Sequence, residues 1–303
     1  MNPAIDRTMA VDRLAFEDRA YILSMHESAG GRGINSSRVL NAFGVKTLAI
    51  LPAGGKNGSQ LEKLLASESF PVEVVHIERE ARTNLTVSDR QGLTIKLNEL
   101  GPPVGELEVV QLEKAVASRL AKAHWLMLCG SLPPGVPADF YSKLIKLAHQ
   151  RNVKTLLDTD GEALQFGIEA GPTAVSPNQQ EAERLLNRAL ITRAHFLDAA
   201  SRIHEMGATS VLLSLGSRGV VSATERAMFE AIPPRIDAVC PIGAGDAMAA
   251  AFVWASTKKK EFPDCLRWAV AAGTASARLP GTETADLAQT KEVYKHVEVR
   301  KIG

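Results

Sequence analysis

Two hydrophobic periods divide the chain. Short apolar, β-branched runs mark buried strands at Thr47–Leu51, Val72–Ile77, Trp125–Cys129, Thr155–Asp158, Thr173–Ser176 and Ser210–Leu215. Between several of them the apolar positions fall at helical spacing. Leu107–Ala121 places apolar residues at 109, 112, 116 and 120, and Pro137–Gln150 opens with proline in its first turn. Ser36–Ala42, Phe196–Glu205 and Ala247–Ser256 read the same way. Alternation of this kind predicts an α/β fold with a doubly wound, mostly parallel sheet. No repeat, low-complexity tract or linker divides residues 1–303, so a single domain is expected.

One region departs from the alternation. Leu85-Thr86-Val87-Ser88 and Leu93-Thr94-Ile95-Lys96-Leu97 each alternate with period two around Gln91-Gly92, which predicts a hairpin. A hairpin cannot bury both faces in a helix-covered sheet. It is either a plain surface hairpin or a projecting β lid or dimer contact, formed by about 82–98 with 8–26 added to it.

Ligands in such folds sit at strand ends and helix starts. Pro241-Ile242-Gly243-Ala244-Gly245-Asp246 precedes the apolar run Ala247–Ala255. Exposed N–H groups at a helix start hold an anion, and glycine lets it approach closely. Asp246 would repel a resting phosphate. Its place fits either a helix cap or a general base beside a transferring phosphoryl group. Gly30-Gly31-Arg32-Gly33-Ile34-Asn35 puts flexible backbone, an arginine and an asparagine at another helix start, which suits a sugar or phosphate. Asn178 and Glu181 lie one turn apart, placed either for a capping box or for metal-bound waters. Gly130–Gly135 and Ser214–Gly219 follow two further strands.

Composition narrows the field. A net charge of +1 argues against nucleic-acid binding by bulk charge. Three widely spaced cysteines without a CxxC pair point to a reducing, cytoplasmic setting. No metal-binding histidine spacing, signal peptide or membrane-length apolar run is present. The chain also lacks GxxxxGK[ST], and no GxGxxG opens a first βαβ unit, which removes P-loop kinases and nicotinamide dehydrogenases.

Taken together, these stretches resemble the ribokinase-like (PfkB) carbohydrate kinases, in particular the 1-phosphofructokinase and tagatose-6-phosphate kinase branch. The matching segments are Asn2–Asp6, Gly30–Asn35, Arg82–Asn84, Gly130–Gly135, Asp158–Leu164, Asn178 with Glu181, Ser214–Gly216, Gly243–Asp246 and Ala271–Ala275. The resemblance implies Asp246 as catalytic base, with Gly243, Ala244 and Gly245 as the anion hole. It implies Asp6, Gly31 and Asn35 at the sugar hydroxyls, with Gly30 and Arg32 beside them. Arg82 would pair with the phosphate already on the substrate, near Asn84 and Ser131. Asn178 and Glu181 would position magnesium, Glu181 through water. Ser214, Gly216, Gly219 and Gly273 would line the ATP pocket.

The implied reaction is ATP-dependent phosphorylation of a ketohexose monophosphate, first fructose 1-phosphate to fructose 1,6-bisphosphate. Tagatose 6-phosphate, fructose 6-phosphate and a non-catalytic sugar-phosphate sensor are the alternatives. A homodimer through the lid is implied as well. Two departures from the family pattern stand out. Ser176 occupies the place of a usual lysine that would neutralise ATP phosphate. The chain also begins inside the Asn-Pro-Ala-Ile-Asp motif, so a true start upstream is expected, and an intact native mass matching residue 1 would contradict it.

Overall fold

The computed structural model describes residues 1–15, 17–281 and 283–302. Phe16, inside the expected 8–26 segment, lies outside the described residues, as do Thr282 and Gly303. The first elements are β1 (Ala4–Val11), β2 (Ile22–Gly30), α1 (Arg32–Ala42), β3 (Ala49–Ala53), α2 (Gly55–Leu65), β4 (Val72–His76), β5 (Arg82–Ser88) and β6 (Thr94–Asn98). Then come α3 (Glu106–Leu120), β7 (Trp125–Cys129), α4 (Phe140–Gln150), β8 (Lys154–Asp158), α5 (Gly161–Glu169), β9 (Ala174–Val175), α6 (Gln179–Leu185) and α7 (Arg193–Glu205). The last are β10 (Ser210–Ser214), β11 (Val220–Thr224), β12 (Met228–Ile232), α8 (Ala244–Thr257), α9 (Phe262–Ser276), α10 (Leu287–Tyr294) and β13 (Glu298–Ile302).

Among the described residues the strands form three sheets. Seven run in the order β13-β12-β11-β10-β9-β8-β7. Strands β7 to β10 are parallel, and β10 to β13 continue antiparallel. A separate parallel pair joins β3 and β4. The sequence pattern misses β12 and β13 because these half-exposed antiparallel strands carry charges such as Glu230 and Arg300, and it misses the buried β11 because its short run is broken by Ser222. It also places β3 two residues early, since pairing with β4 starts at Ala49↔Val72.

Both faces of the main sheet are covered, as parallel strands require. Adjacent residues of β8 point opposite ways: Leu157 belongs to the core shared by α3 to α7, whereas Leu156 belongs to the core shared by α1, α8 and α9. Helix α8 is buried from Asp246 to Ala255 because its sequence is apolar all round. Gly273 of α9 permits the closest approach to it, since a Cβ there would sit 2.9 Å from the Ala244 carbonyl oxygen.

The third sheet has the order β2-β1-β5-β6. The expected hairpin is β5 with β6, paired Asn84↔Asn98 through Ser88↔Thr94. Strand β1 lies between β2 and β5, parallel to β5. The strands of this sheet therefore reach Ala4 and Gly30, beyond the expected 8–26, because the β1–β2 ladder runs from Ala4↔Gly30. Ile22, Leu23, Met25 and Leu97 on it, and Tyr21 and Leu93 beside it, are exposed.

Candidate active site

The C-terminal ends of β7 and β8, the starts of α1, α6 and α8, and the first residues of β1 converge on one cleft. Gly243 adopts φ 77°, a left-handed conformation that turns the chain into α8. Asp246 follows in the first turn and is 8% exposed. Its carboxylate accepts a hydrogen bond from Asn35 Nδ2 at 2.7 Å. Burial raises its pKa to about 7, helped by Asp158 and opposed by Asn35 and Arg32. A carboxylate tuned to that value is suited to proton abstraction near neutral pH.

Arg32 opens α1 and ties three elements together. Nη1 donates to Asp158 Oδ1 at 2.9 Å, and Nη2 to Glu181 Oε1 at 2.9 Å and Asp160 Oδ2 at 3.1 Å. Burial works against its charge, but these acids outweigh burial and hold the guanidinium protonated. Burial raises Asp158 and Glu181 as well, with Arg32 pulling both back. Asp158 and Asp160 carry no role in the sequence reading. Their signal lies in the sequence: two acids where a strand ends, at the side where ligands bind.

Glu181 and Asn178 form the capping box. Asn178 Oδ1 accepts from Glu181 N, and Glu181 Oε2 accepts from Asn178 N, each at 2.9 Å. Ser176 is buried, and its N–H donates to Leu157 O. The cation that meets Glu181 is Arg32.

Asp6, on β1, accepts from Asn84 Nδ2 at 2.9 Å, and burial raises its pKa. Gly30 makes room for it: a Cβ there would fall 2.1 Å from the Asp6 carboxyl group. Gly31 precedes α1 with φ 127°, packed against Pro3. Asn84 Oδ1 is buried without a partner. Such an atom is costly unless a ligand donor reaches it. Arg82 donates from Nε and Nη2 to Asn2 O and from Nη1 to Glu99 O. Two of its about five N–H groups therefore remain for an anion. Ser131 Oγ accepts from Asn2 Nδ2 at 3.2 Å.

A cavity of about 1610 Å³ opens beside these groups. Asn178, Ser214, Gly216 and Gly219 line it on one side, and Ala244, Gly245 and Gly273 on the other. Ligand pockets commonly measure about 300–1,000 Å³, so a nucleotide fits with room to spare. Nothing lies within 4 Å of a Cβ built on Gly245, so the N-terminal turn of α8 faces open space next to Asp246. Of the expected residues, Asn35 reaches this turn through Asp246, and Gly273 through the Ala244 carbonyl.

The chain matches the pfkB family carbohydrate kinase profile over residues 1–289. It is 30% identical over 298 residues to the ATP-dependent 6-phosphofructokinase isozyme 2 of Escherichia coli, covering 97% of this chain and 96% of that protein. The 1-phosphofructokinase of Borreliella burgdorferi is 29% identical, covering 91% and 90%. The crystal structure of phosphofructokinase-2 from Escherichia coli in complex with potassium superposes with a TM-score of 0.92 at 30% identity, covering 98% and 96%. The chain therefore has the ribokinase-like α/β fold, and with a family match over residues 1–289 this protein belongs to the pfkB family of carbohydrate kinases.

Proposed function

We propose that the protein transfers the γ-phosphoryl group of ATP to a hydroxyl of a fructose monophosphate, giving fructose 1,6-bisphosphate and ADP. The observation that carries this reading is Asp246, a buried carboxylate with a pKa raised to about 7 in the first turn of α8, bonded to Asn35 and beside a cavity of about 1610 Å³. Asp246 takes the hydroxyl proton. The N–H groups of Gly243, Ala244 and Gly245 face the phosphoryl group as it moves. Asp6 and Asn84 bind sugar hydroxyls, with the unpartnered Asn84 Oδ1 accepting one of them. Arg82 offers its spare N–H groups to the substrate phosphate, beside Ser131. The projecting sheet closes over the sugar as a lid.

Magnesium suits this donor set. The described residues hold no cluster of three acidic, histidine or cysteine side chains that would cage a metal. Magnesium is commonly held by one or two carboxylates, substrate phosphates and water. Glu181, with Asn178 beside it, would hold it through water, and its charge would offset that of the ATP phosphates. Arg32 supplies positive charge at the same helix start, where Ser176 offers none.

Fructose 1-phosphate and fructose 6-phosphate both lead to the same bisphosphate, and relatives of both names are matched. ADP release with ATP and magnesium is measured across fructose 1-phosphate, fructose 6-phosphate, tagatose 6-phosphate and fructose. Preference for one fructose phosphate is the expected result. No turnover with any phosphosugar would overturn the reading and favour a sensor.

The same reading includes a homodimer through the exposed apolar side chains of the projecting sheet. A monomer by light scattering at assay concentration would remove it. Three free thiols fit a cytoplasmic setting. Among the described residues no helix is long and apolar enough to cross a membrane.

A further inference from the structure

Asn35 does not reach Asp246 unaided. Its other amide atom, Oδ1, accepts from Arg38 Nη1 at 3.0 Å. Arg38 is fixed in turn: Nε and Nη2 both donate to Glu68 Oε1, at 2.8 and 2.6 Å, and Nη2 donates to Ala29 O at 2.8 Å. The Arg38 and Glu68 side chains are each 18% exposed. The result is a continuous line, Glu68–Arg38–Asn35–Asp246, running from the surface after α2 to the start of α8.

The chemistry of the line has a direction. A guanidinium has donors and no acceptor. Whatever faces it must accept, so the Asn35 amide can satisfy both neighbours in one orientation, with oxygen toward Arg38 and nitrogen toward Asp246. Turned over, the amide would set two donors against each other and place its oxygen against a carboxylate. We infer that Arg38, anchored by Glu68, is a positioning residue for phosphoryl transfer: it locks the Asn35 amide so that Nδ2 donates to Asp246 and aims that carboxylate. This rests on the reading of Asp246 as the base.

A donor on the carboxylate favours its ionised form. The groups facing Asp246 from the packed elements are Asp158 of β8, Asp6 of β1, Arg32 and Asn35 of α1, and the buried Cys129 of β7. Asp158 and Asp6 oppose ionisation, and Arg32 supports it. Asn35 is thus the neutral member of the support, and its sign depends on which end of the amide is presented.

The experiment uses the full chain with ATP, magnesium and the better fructose phosphate. Arg38→Met is expected to lower kcat about 10–100-fold, the size of effect that misplacing a reacting group produces. The acid limb of the kcat profile moves to higher pH. Arg38→Lys, still a donor without an acceptor, restores part of kcat. In an Asn35→Ala background Arg38→Met has little further effect, because residues acting as a unit are not additive. An unmoved acid limb with wild-type kcat would overturn the inference, and so would an equal loss in the Asn35→Ala background. Should Arg38→Met fail to fold, Glu68→Gln is read the same way. It shifts the limb in the same direction by less, and an unmoved limb with wild-type kcat counts against the proposal. An Asp246→Asn control separates the two readings. If that variant turns over normally, the base assignment fails. If it is inactive while Arg38→Met is normal, only the positioning role fails.

Discussion

Strands β8 and β6 are each five residues long, β8 in the main sheet and β6 at the edge of the four-stranded sheet. In β8, Leu156 and Leu157 are fully buried on opposite faces, and the strand ends in the buried Asp158. In β6 most residues are exposed, Leu97 among them at 57%. The wall around β8 is held by packing, and charge is placed on it where the strand stops. The wall around β6 is held by ladder hydrogen bonds and side-chain links such as Asp89, which accepts from Leu14 N, Gln91 N and Leu93 N. A packed wall keeps catalytic atoms in place. A sheet with little buried apolar area opens at lower free-energy cost, which suits the lid role proposed for it.

The contrast can be broken at its centre first. Asp246→Asn should lower kcat about 10²–10⁴-fold, the range for losing a general base, while substrate binding survives. In the unaltered protein kcat/KM should fall as pH drops through about 7, because the base must be unprotonated to act. Pre-steady-state and steady-state ADP release check both.

Next come paired truncations of the two walls. Leu157→Ala should cost about 2–5 kcal/mol, because a fully buried side chain leaves a cavity. Leu97→Ala should stay within about 0.5 kcal/mol in a monomer. A similar loss at both sites in denaturant titrations would erase the distinction. Arg82→Met should raise KM for phosphorylated fructose about 10–100-fold, the size expected for charged hydrogen bonds, with far less effect on any turnover of fructose. Equal changes on both sugars would take Arg82 out of the phosphate site.

The smallest effect concerns stability. Asp246 binds its proton more tightly folded than unfolded, since burial raises its pKa. That preference supports the folded state at low pH and is lost as pH rises through about 7. Asparagine never ionises, so Asp246→Asn should raise Tm by roughly a few degrees at about pH 8.5 and by less at about pH 5. An equal shift at both pH values would mean that Asp246 is not carrying this burden.

Much of the packed wall is legible in the sequence, because buried parallel strands and amphipathic helices leave periodic traces. Trp125–Cys129 stands with the boundaries expected of it. The start of α8 is legible from Gly243 and Asp246, where a turn conformation and a charge occur together. What was hidden has no local trace. Arg32 meets partners 126, 128 and 149 residues away, and only folding brings those acids together. Arg38 looks like an ordinary solvated helix residue until Glu68 and Ala29 are placed around it. The edge strand β13, with Glu298, Arg300 and Lys301, has no apolar run to mark it, because its outer side faces water.

The bond between Asn35 and Asp246 bears on a hazard common to enzymes that hold ATP. Water is smaller than any sugar and can enter wherever a sugar hydroxyl can. The proposed base, only 8% exposed and already engaged by an amide, leaves a stray water molecule little room to approach it. The resting site is thereby biased against futile hydrolysis, and nucleotide turnover without sugar should be slow compared with transfer to the correct acceptor.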